Sequence, residues 1–219
     1  MPFDIVCFDC DSTLSRIEGI DELARSCHVF AEVAALTDAA MNGEVALEDV
    51  YAKRLDVIKP NQLAISQLAD QYIDEIVEGV TEVFAALLAA NKQVHIISGG
   101  LRQAILPLAT RLNIPASQVH AVDIFFDVNG DYLDFDRQSP LAQSGGKAAV
   151  CRQINPSAAL NMVLVGDGKT DLEAQHAGAT VIGFGGVVRR DLVEAQADQF
   201  FADPSLLAVL PVLLQADSN

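Results

Sequence analysis

The sequence predicts an α/β fold, a Rossmann-like, mostly parallel sheet flanked by helices, with a small all-helical insertion after the first strand. Three observations predict it. The run Asp4–Phe8 is short and largely apolar, then gives way to Asp9, Asp11, Ser12 and Thr13, as a buried strand does where it ends in a site. Residues 17–76 carry helical patterns and no convincing strand. From Gly79 onward, strand-length apolar runs alternate with helical ones, the rhythm of strand–helix–strand units.

In chain order, Asp21–Cys27 and Val29–Met41 read as helices, with Asn42-Gly43 as the stop. Leu47–Ile58 puts Leu47, Val50, Tyr51, Leu55 and Ile58 on one face and ends before Lys59-Pro60. Asn61 is suited to cap a further helix through Tyr72. The division expected is an all-helical insertion over 16–76 and an α/β core made of 1–15 and 77–219. In the core, Thr81–Ala90 is a helix, Gln93–Ser98 a strand, Gly99-Gly100 a turn and Leu101–Leu112 a helix. Val119–Asp127 and Asp131–Phe135 flank Asn129-Gly130, a strong hairpin signal. Lys147–Ile154, Thr170–Ala177 and Asp191–Ala197 read as helices, and Met162–Val165, Thr180–Ile182 and Gln199–Phe201 as strands. A last helix follows Asp203-Pro204, where proline suits a first turn.

Composition narrows the function. The chain has 219 residues, 51% of them hydrophobic, enough for a packed core. Its net charge of −16 opposes broad attraction to nucleic acid or to anionic membrane, so neither is expected as a partner. A small phosphorylated molecule stays possible if local cations overcome the global field. Cys7 and Cys10 spell C-x-x-C, but Asp9 lies between them and no second pair follows; buried small residues beside a site fit better than a redox pair. No signal-peptide pattern and no membrane-length apolar run is visible, which makes the cytoplasm the expectation. Either a monomer or a homodimer is expected.

Four polar turns carry the chemistry: Asp9–Thr13, Ser98-Gly99-Gly100, Ser144–Lys147 and Gly166–Asp171. Singly each is weak, since such turns are common structural caps. The stretch GDGKTD misses the Walker A loop, because Val163 stands where the first glycine belongs. It misses the dinucleotide fingerprint at Asp171. Together the four suit phosphoryl transfer. Ser98 and free N–H groups at a helix start can hold phosphate oxygens, and Lys147 adds fixed positive charge. Asp9, Asp11 and Asp167 offer hard oxygen ligands that favour Mg2+. Two like charges about 4 Å apart cost about 4 kcal/mol at an effective dielectric of 20, so carboxylates facing a phosphate need that cation. One aspartate can then act as nucleophile and the other as acid and base. None of the four histidines has metal-ligand spacing.

These motifs, in this order, resemble the haloacid dehalogenase superfamily: DxDxT at Asp9–Thr13, then Ser98, Lys147 and GDGxxD at Gly166–Asp171. Within it the chain is similar to members that hydrolyse O-phosphoserine, in the last step of serine synthesis. The likeness runs through CFDCDSTLSRIEGIDELA, SGGLRQAI, LNIPASQV, FDVNGDYLDFD, SGGK and IGFGGVVRRDLVEAQADQF. The resemblance implies Asp9 as nucleophile and Asp11 as general acid/base. It implies Mg2+ held by Asp9, the Asp11 backbone carbonyl and Asp167, supported by Asp171. It assigns Glu18 and Arg54 to the substrate's ammonium and carboxylate, with Met41 in the pocket wall and Thr170 as a polar contact. By the same resemblance Ser98, Gly99, Gly100 and Lys147 are expected to hold the phosphate. A guanidinium can take a carboxylate bidentately where a lysine cannot. The rival readings are the same chemistry on phosphoethanolamine, transfer to homoserine in place of water, and a non-catalytic phosphate-binding protein.

Overall fold

The computed structural model describes residues 3–41 and 44–214. Strand β1 (Ile5–Phe8) is buried at every position, as its unbroken apolar run requires. Helices α1 (Gly19–Ser26), α2 (Phe30–Met41), α3 (Leu47–Ile58) and α4 (Gln62–Asp74) follow it. Asn61 caps α4 by accepting the Ala64 N–H at 2.9 Å, and α3 keeps the bounds its apolar face predicts. The expected stop at Asn42-Gly43 lies outside the described residues.

Then come α5 (Val80–Ala89), β2 (Gln93–Leu101), α6 (Arg102–Arg111), β3 (Val119–Val122), β4 (Ile124–Phe126) and β5 (Tyr132–Phe135). The chain continues through α7 (Gly146–Ile154), β6 (Met162–Gly166), α8 (Lys169–Leu172), β7 (Thr180–Phe184), α9 (Asp191–Gln196), β8 (Gln199–Phe201) and α10 (Leu210–Leu213). The main sheet has six strands in the order β3-β2-β1-β6-β7-β8, and all its pairings are parallel. The fold class read from the sequence holds.

Four local expectations change. At the end of the core, the helix expected after Asp203-Pro204 is a 3-10 turn at Leu206–Val209 followed by α10, and Pro204 lies ahead of both. The expected strand Val119–Asp127 is two strands: β3 joins the main sheet, while β4 pairs with β5 in a separate hairpin. Asp123 marks the break, and its backbone carbonyl accepts the Asp136 N–H at the root of that hairpin. Gly99-Gly100 does not end β2, because pairing with β3 resumes at Leu101↔Val122 after an irregularity. Thr170–Ala177 divides into α8 and a 3-10 turn at Glu173–Ala177.

Two features of this architecture position a site. The chain runs from β1 outward to β2 and β3, then crosses back to β6 on β1's other side. The loops after β1 and β6 therefore diverge at a switch point, where open α/β sheets bind ligands. The helical segment α1–α4 leaves and rejoins the core side by side: Ser15 bridges Ile76, and the Val77 N–H bonds the Leu14 carbonyl at 2.9 Å. Helix α3 is tied back to the core, since Glu48 Oε2 accepts from the Ser144 N–H at 2.9 Å and hydroxyl at 2.7 Å.

Candidate active site

Beyond β1 the chain folds tightly on itself. The Cys10 carbonyl accepts the N–H groups of Thr13, Leu14 and Ser15, and Ser12 adopts a left-handed φ of 51°. Such a conformation in a non-glycine residue is held by its surroundings. The Ser12 hydroxyl donates to Glu18 at 2.7 Å and so fixes that carboxylate over the loop. Asp9 and Asp11 emerge from the same loop.

Asp9, Asp167 and Asp171 are buried, and one carboxylate oxygen from each lies within 4.8 Å of the others. Lys147, at the start of α7, reaches Asp9 at 2.9 Å and Asp171 at 2.6 Å. Burial opposes the charge on Lys147, but these two carboxylates outweigh it and raise its pKa. The other Asp171 oxygen accepts the Gly168 N–H at 2.9 Å. Asp171 packs against the bare backbone of Gly166, where any side chain would overlap its carboxylate. The GDGxxD spacing thus has a steric reason.

These acids are short of compensation. Burial, Asp9 and then Asp171 push Asp167 up to about 8, against the pull of Arg190. Burial also pushes Asp171 up to about 6, with Lys147 resisting. Asp11 is pushed up to about 6 by burial and Asp9, opposed by its bonds from Gly19 and Tyr72. Glu18 is raised by burial, Asp11 and Asp167. A cluster of hard oxygen donors with too little positive charge fits a divalent cation.

Across the same pocket stands Arg54, buried on α3. Its Nη1 donates to the Thr37 hydroxyl at 3.1 Å, and that hydroxyl donates to Asp21 at 2.8 Å. Among the described residues its Nε has no hydrogen-bond partner, and burial lowers its pKa. Among the described residues it has no carboxylate within ion-pair distance. Glu18, Thr37, Leu47, Tyr51, Gly99, Gly100 and Thr170 complete the lining that matters here.

The comparisons with known proteins agree with this geometry. Residues 6–176 match the family of haloacid dehalogenase-like hydrolases. The phosphoserine phosphatase of Mus musculus is 39% identical over 201 residues, covering 91% of this chain and 89% of that protein. The chain belongs to the haloacid dehalogenase-like hydrolases, in the branch of the phosphoserine phosphatases. The chloroplastic phosphoserine phosphatase of Arabidopsis thaliana is 40% identical over 198 residues, covering 89% of this chain and 67% of that one. A phosphoserine phosphohydrolase-like protein from Francisella tularensis superposes with a TM-score of 0.86 at 24% identity, over 98% of this chain and 100% of that one, which speaks for the fold.

For this phosphatase-family chain, the structure brings Asp9, Asp11, Glu18, Arg54, Gly99, Gly100, Lys147, Asp167 and Thr170 to one pocket. Ser98 lies fully buried just behind it, donating toward Asp11 at 3.4 Å and accepting the Gly100 N–H at 3.0 Å. Asp171 lies behind Lys147, with both oxygens already engaged. Met41 ends α2, and its side chain lies outside the described residues. Sequence reasoning missed Arg190, which bonds Asp167 at 3.2 Å and approaches Glu18 at 3.9 Å. It missed Tyr72 and Thr37 as well. Each looked like an ordinary helix or loop residue, and no spacing rule singles them out.

Proposed function

We propose that the chain is a Mg2+-dependent phosphomonoesterase that hydrolyses O-phospho-L-serine to L-serine and phosphate, the last step of serine biosynthesis. One observation carries the reading. A buried cluster of acids with Lys147 faces, across a single pocket, an arginine whose Nε has no hydrogen-bond partner. The first arrangement suits a phosphoryl group and the second suits a substrate carboxylate. The relatives named phosphoserine phosphatase support it.

In this reading Asp9 and Asp167, with the Asp11 backbone carbonyl, hold Mg2+, and Asp171 supports them through Lys147. The cation, when bound, neutralises charge on phosphate and carboxylate oxygens. Lys147 and the backbone of Ser98–Gly100 hold the phosphate. A carboxylate oxygen of Asp9 bonds to phosphorus as the phosphorus–serine oxygen bond breaks, and Asp11 gives the leaving serine oxygen its proton. Asp11 then takes a proton from water as that water's oxygen bonds to phosphorus and the aspartyl phosphate opens. Phosphate leaves and Asp9 is restored. Glu18 receives the substrate ammonium and Arg54 its carboxylate, with Thr170 as a further polar contact. The helices of residues 16–76 serve as a cap that excludes bulk water.

The test is phosphate release over a panel of phosphomonoesters, with and without EDTA. Phosphoserine should give the highest kcat/KM, and EDTA should abolish turnover until Mg2+ is returned. Undiminished release after metal removal overturns the cation's role. A higher kcat/KM on phosphoethanolamine overturns the substrate. Substoichiometric phosphate on adding homoserine would mark a transferase instead.

A further inference from the structure

Asp11 is held from outside its own loop. Its Oδ1 accepts two hydrogen bonds, from the Tyr72 hydroxyl at 2.7 Å and from the Gly19 N–H at 2.6 Å. Its Oδ2 points the other way, toward the Ser98 hydroxyl at 3.4 Å and close against Gly100. One carboxyl oxygen is thus committed, and the other looks onto the turn proposed to hold phosphate.

Tyr72 is fully buried near the end of α4, among the apolar residues of that helix's inner face. Phenylalanine would serve that packing without a polar group to satisfy, because burying a hydroxyl is costly unless it is bonded. Among the described residues the hydroxyl has one hydrogen-bond partner, and that partner is Asp11. The neighbouring position agrees. A side chain at Gly19 would overlap the Tyr72 hydroxyl and crowd Asp11. Gly19 is therefore bare at the point where α1, α4 and the Asp9–Thr13 loop converge.

We propose that Tyr72 is a positioning residue for the reaction: with the Gly19 N–H it fixes Oδ1 of Asp11, so that Oδ2 is the oxygen presented to the leaving group. The inference rests on the reading of Asp11 as proton donor. Without the hydroxyl, the carboxyl can swing on a single N–H and loses the aim that proton transfer needs.

The leaving group provides the test. Serine leaves as a poor alkoxide and needs the proton, whereas 4-nitrophenolate does not. The ratio kcat/KM reports only phosphoenzyme formation here, so the shared hydrolysis step does not blur the comparison. Tyr72→Phe should lower kcat/KM on phosphoserine about 10-fold. The loss should fall on kcat, with KM changed less than about twofold. On 4-nitrophenyl phosphate the loss should stay under about twofold. Gly19→Ala should reproduce the same bias. Asp11→Asn is run beside them and should lose about 10²- to 10⁴-fold with the same preference. If Asp11→Asn shows the bias and Tyr72→Phe does not, losing equally on both esters or on neither, the positioning role is overturned alone. If Asp11→Asn loses equally on both, its role as proton donor falls, and this inference with it.

Discussion

The two halves of the pocket treat charge in opposite ways. In the phosphoryl half, on loops after β1 and β6 and at the start of α7, Lys147 is clamped between Asp9 and Asp171, and Arg190 bonds Asp167. In the recognition half, carried by the inserted helices, Arg54 meets a threonine hydroxyl and lies 5.5 Å from the centre of the Tyr51 ring, with its Nε unpartnered. The first half has its cation partners built in and is short of positive charge; the second has a cation and is short of an anion. Under the proposed function, the difference says where each ligand belongs. A buried guanidinium without a carboxylate is unfavourable until a ligand supplies one, and a buried acid cluster is unfavourable until a cation does.

The largest effect should come from breaking the phosphoryl half. Asp9→Asn removes the carboxylate proposed as nucleophile and half of the Lys147 clamp while keeping the side chain's shape. Turnover of phosphoserine should fall on the order of 10⁴- to 10⁶-fold, in the range seen when a covalent nucleophile is lost. Full turnover in that variant, measured by phosphate release, would overturn Asp9 as the nucleophile and with it the covalent scheme.

Breaking the recognition half should cost less and discriminate more. Arg54→Ala should lower kcat/KM on phosphoserine by about 10- to 100-fold, the worth of a charged hydrogen-bonded contact. Phosphoethanolamine has no carboxylate, and its kcat/KM should change by less than about threefold. Arg54→Lys should recover little of the loss, because an ammonium cannot reproduce the planar fork. Equal losses on both esters would mean that the two halves are not separable and that Arg54 serves the fold.

The same contrast separates what was legible in the sequence from what was not. Most of the phosphoryl half was legible because its acids sit at fixed offsets from strand ends, and strand ends are visible as breaks in apolar runs, while Lys147 follows a glycine pair at the start of a helix. Asp9 and Asp11 follow β1, and Gly166–Asp171 follows β6. There the geometry demands the letters: Gly166 is bare because the Asp171 carboxylate fills the space. Arg190 was not legible, since it precedes α9 on a loop with no periodicity and reaches Asp167 only through the fold. In the sequence Tyr72 stands out only as the expected end of the helix capped by Asn61, because a hydroxyl at the end of a buried ring leaves no mark on the pattern. The fold shows the same division. Alternation of helices and strands announced the parallel sheet, but the split of Val119–Asp127 turns on which partner each half finds. Only tertiary pairing decides that.

The smallest effect sharpens the comparison through pH. In EDTA, with no cation in the acid cluster, Asp167 is pushed up to about 8 by burial and the neighbouring acids, and Asp171 to about 6 by burial. An acid whose pKa is raised in the folded state adds stability that is complete below its unfolded value of about 4. That stability is lost as pH rises through the folded value. His95 works with the opposite sign: burial and His120 hold it down to about 4, so its contribution is present above about 6.5 and is lost on acidification. Its window closes where the measurement begins. Between pH 6.5 and 8.5 the Tm of the metal-free protein should therefore fall by roughly 3–6 °C. Saturating Mg2+ should remove most of that slope, and Arg54→Ala should leave it unchanged. A flat profile in EDTA would mean that the phosphoryl half is already balanced without a cation, and the contrast between the two halves would dissolve.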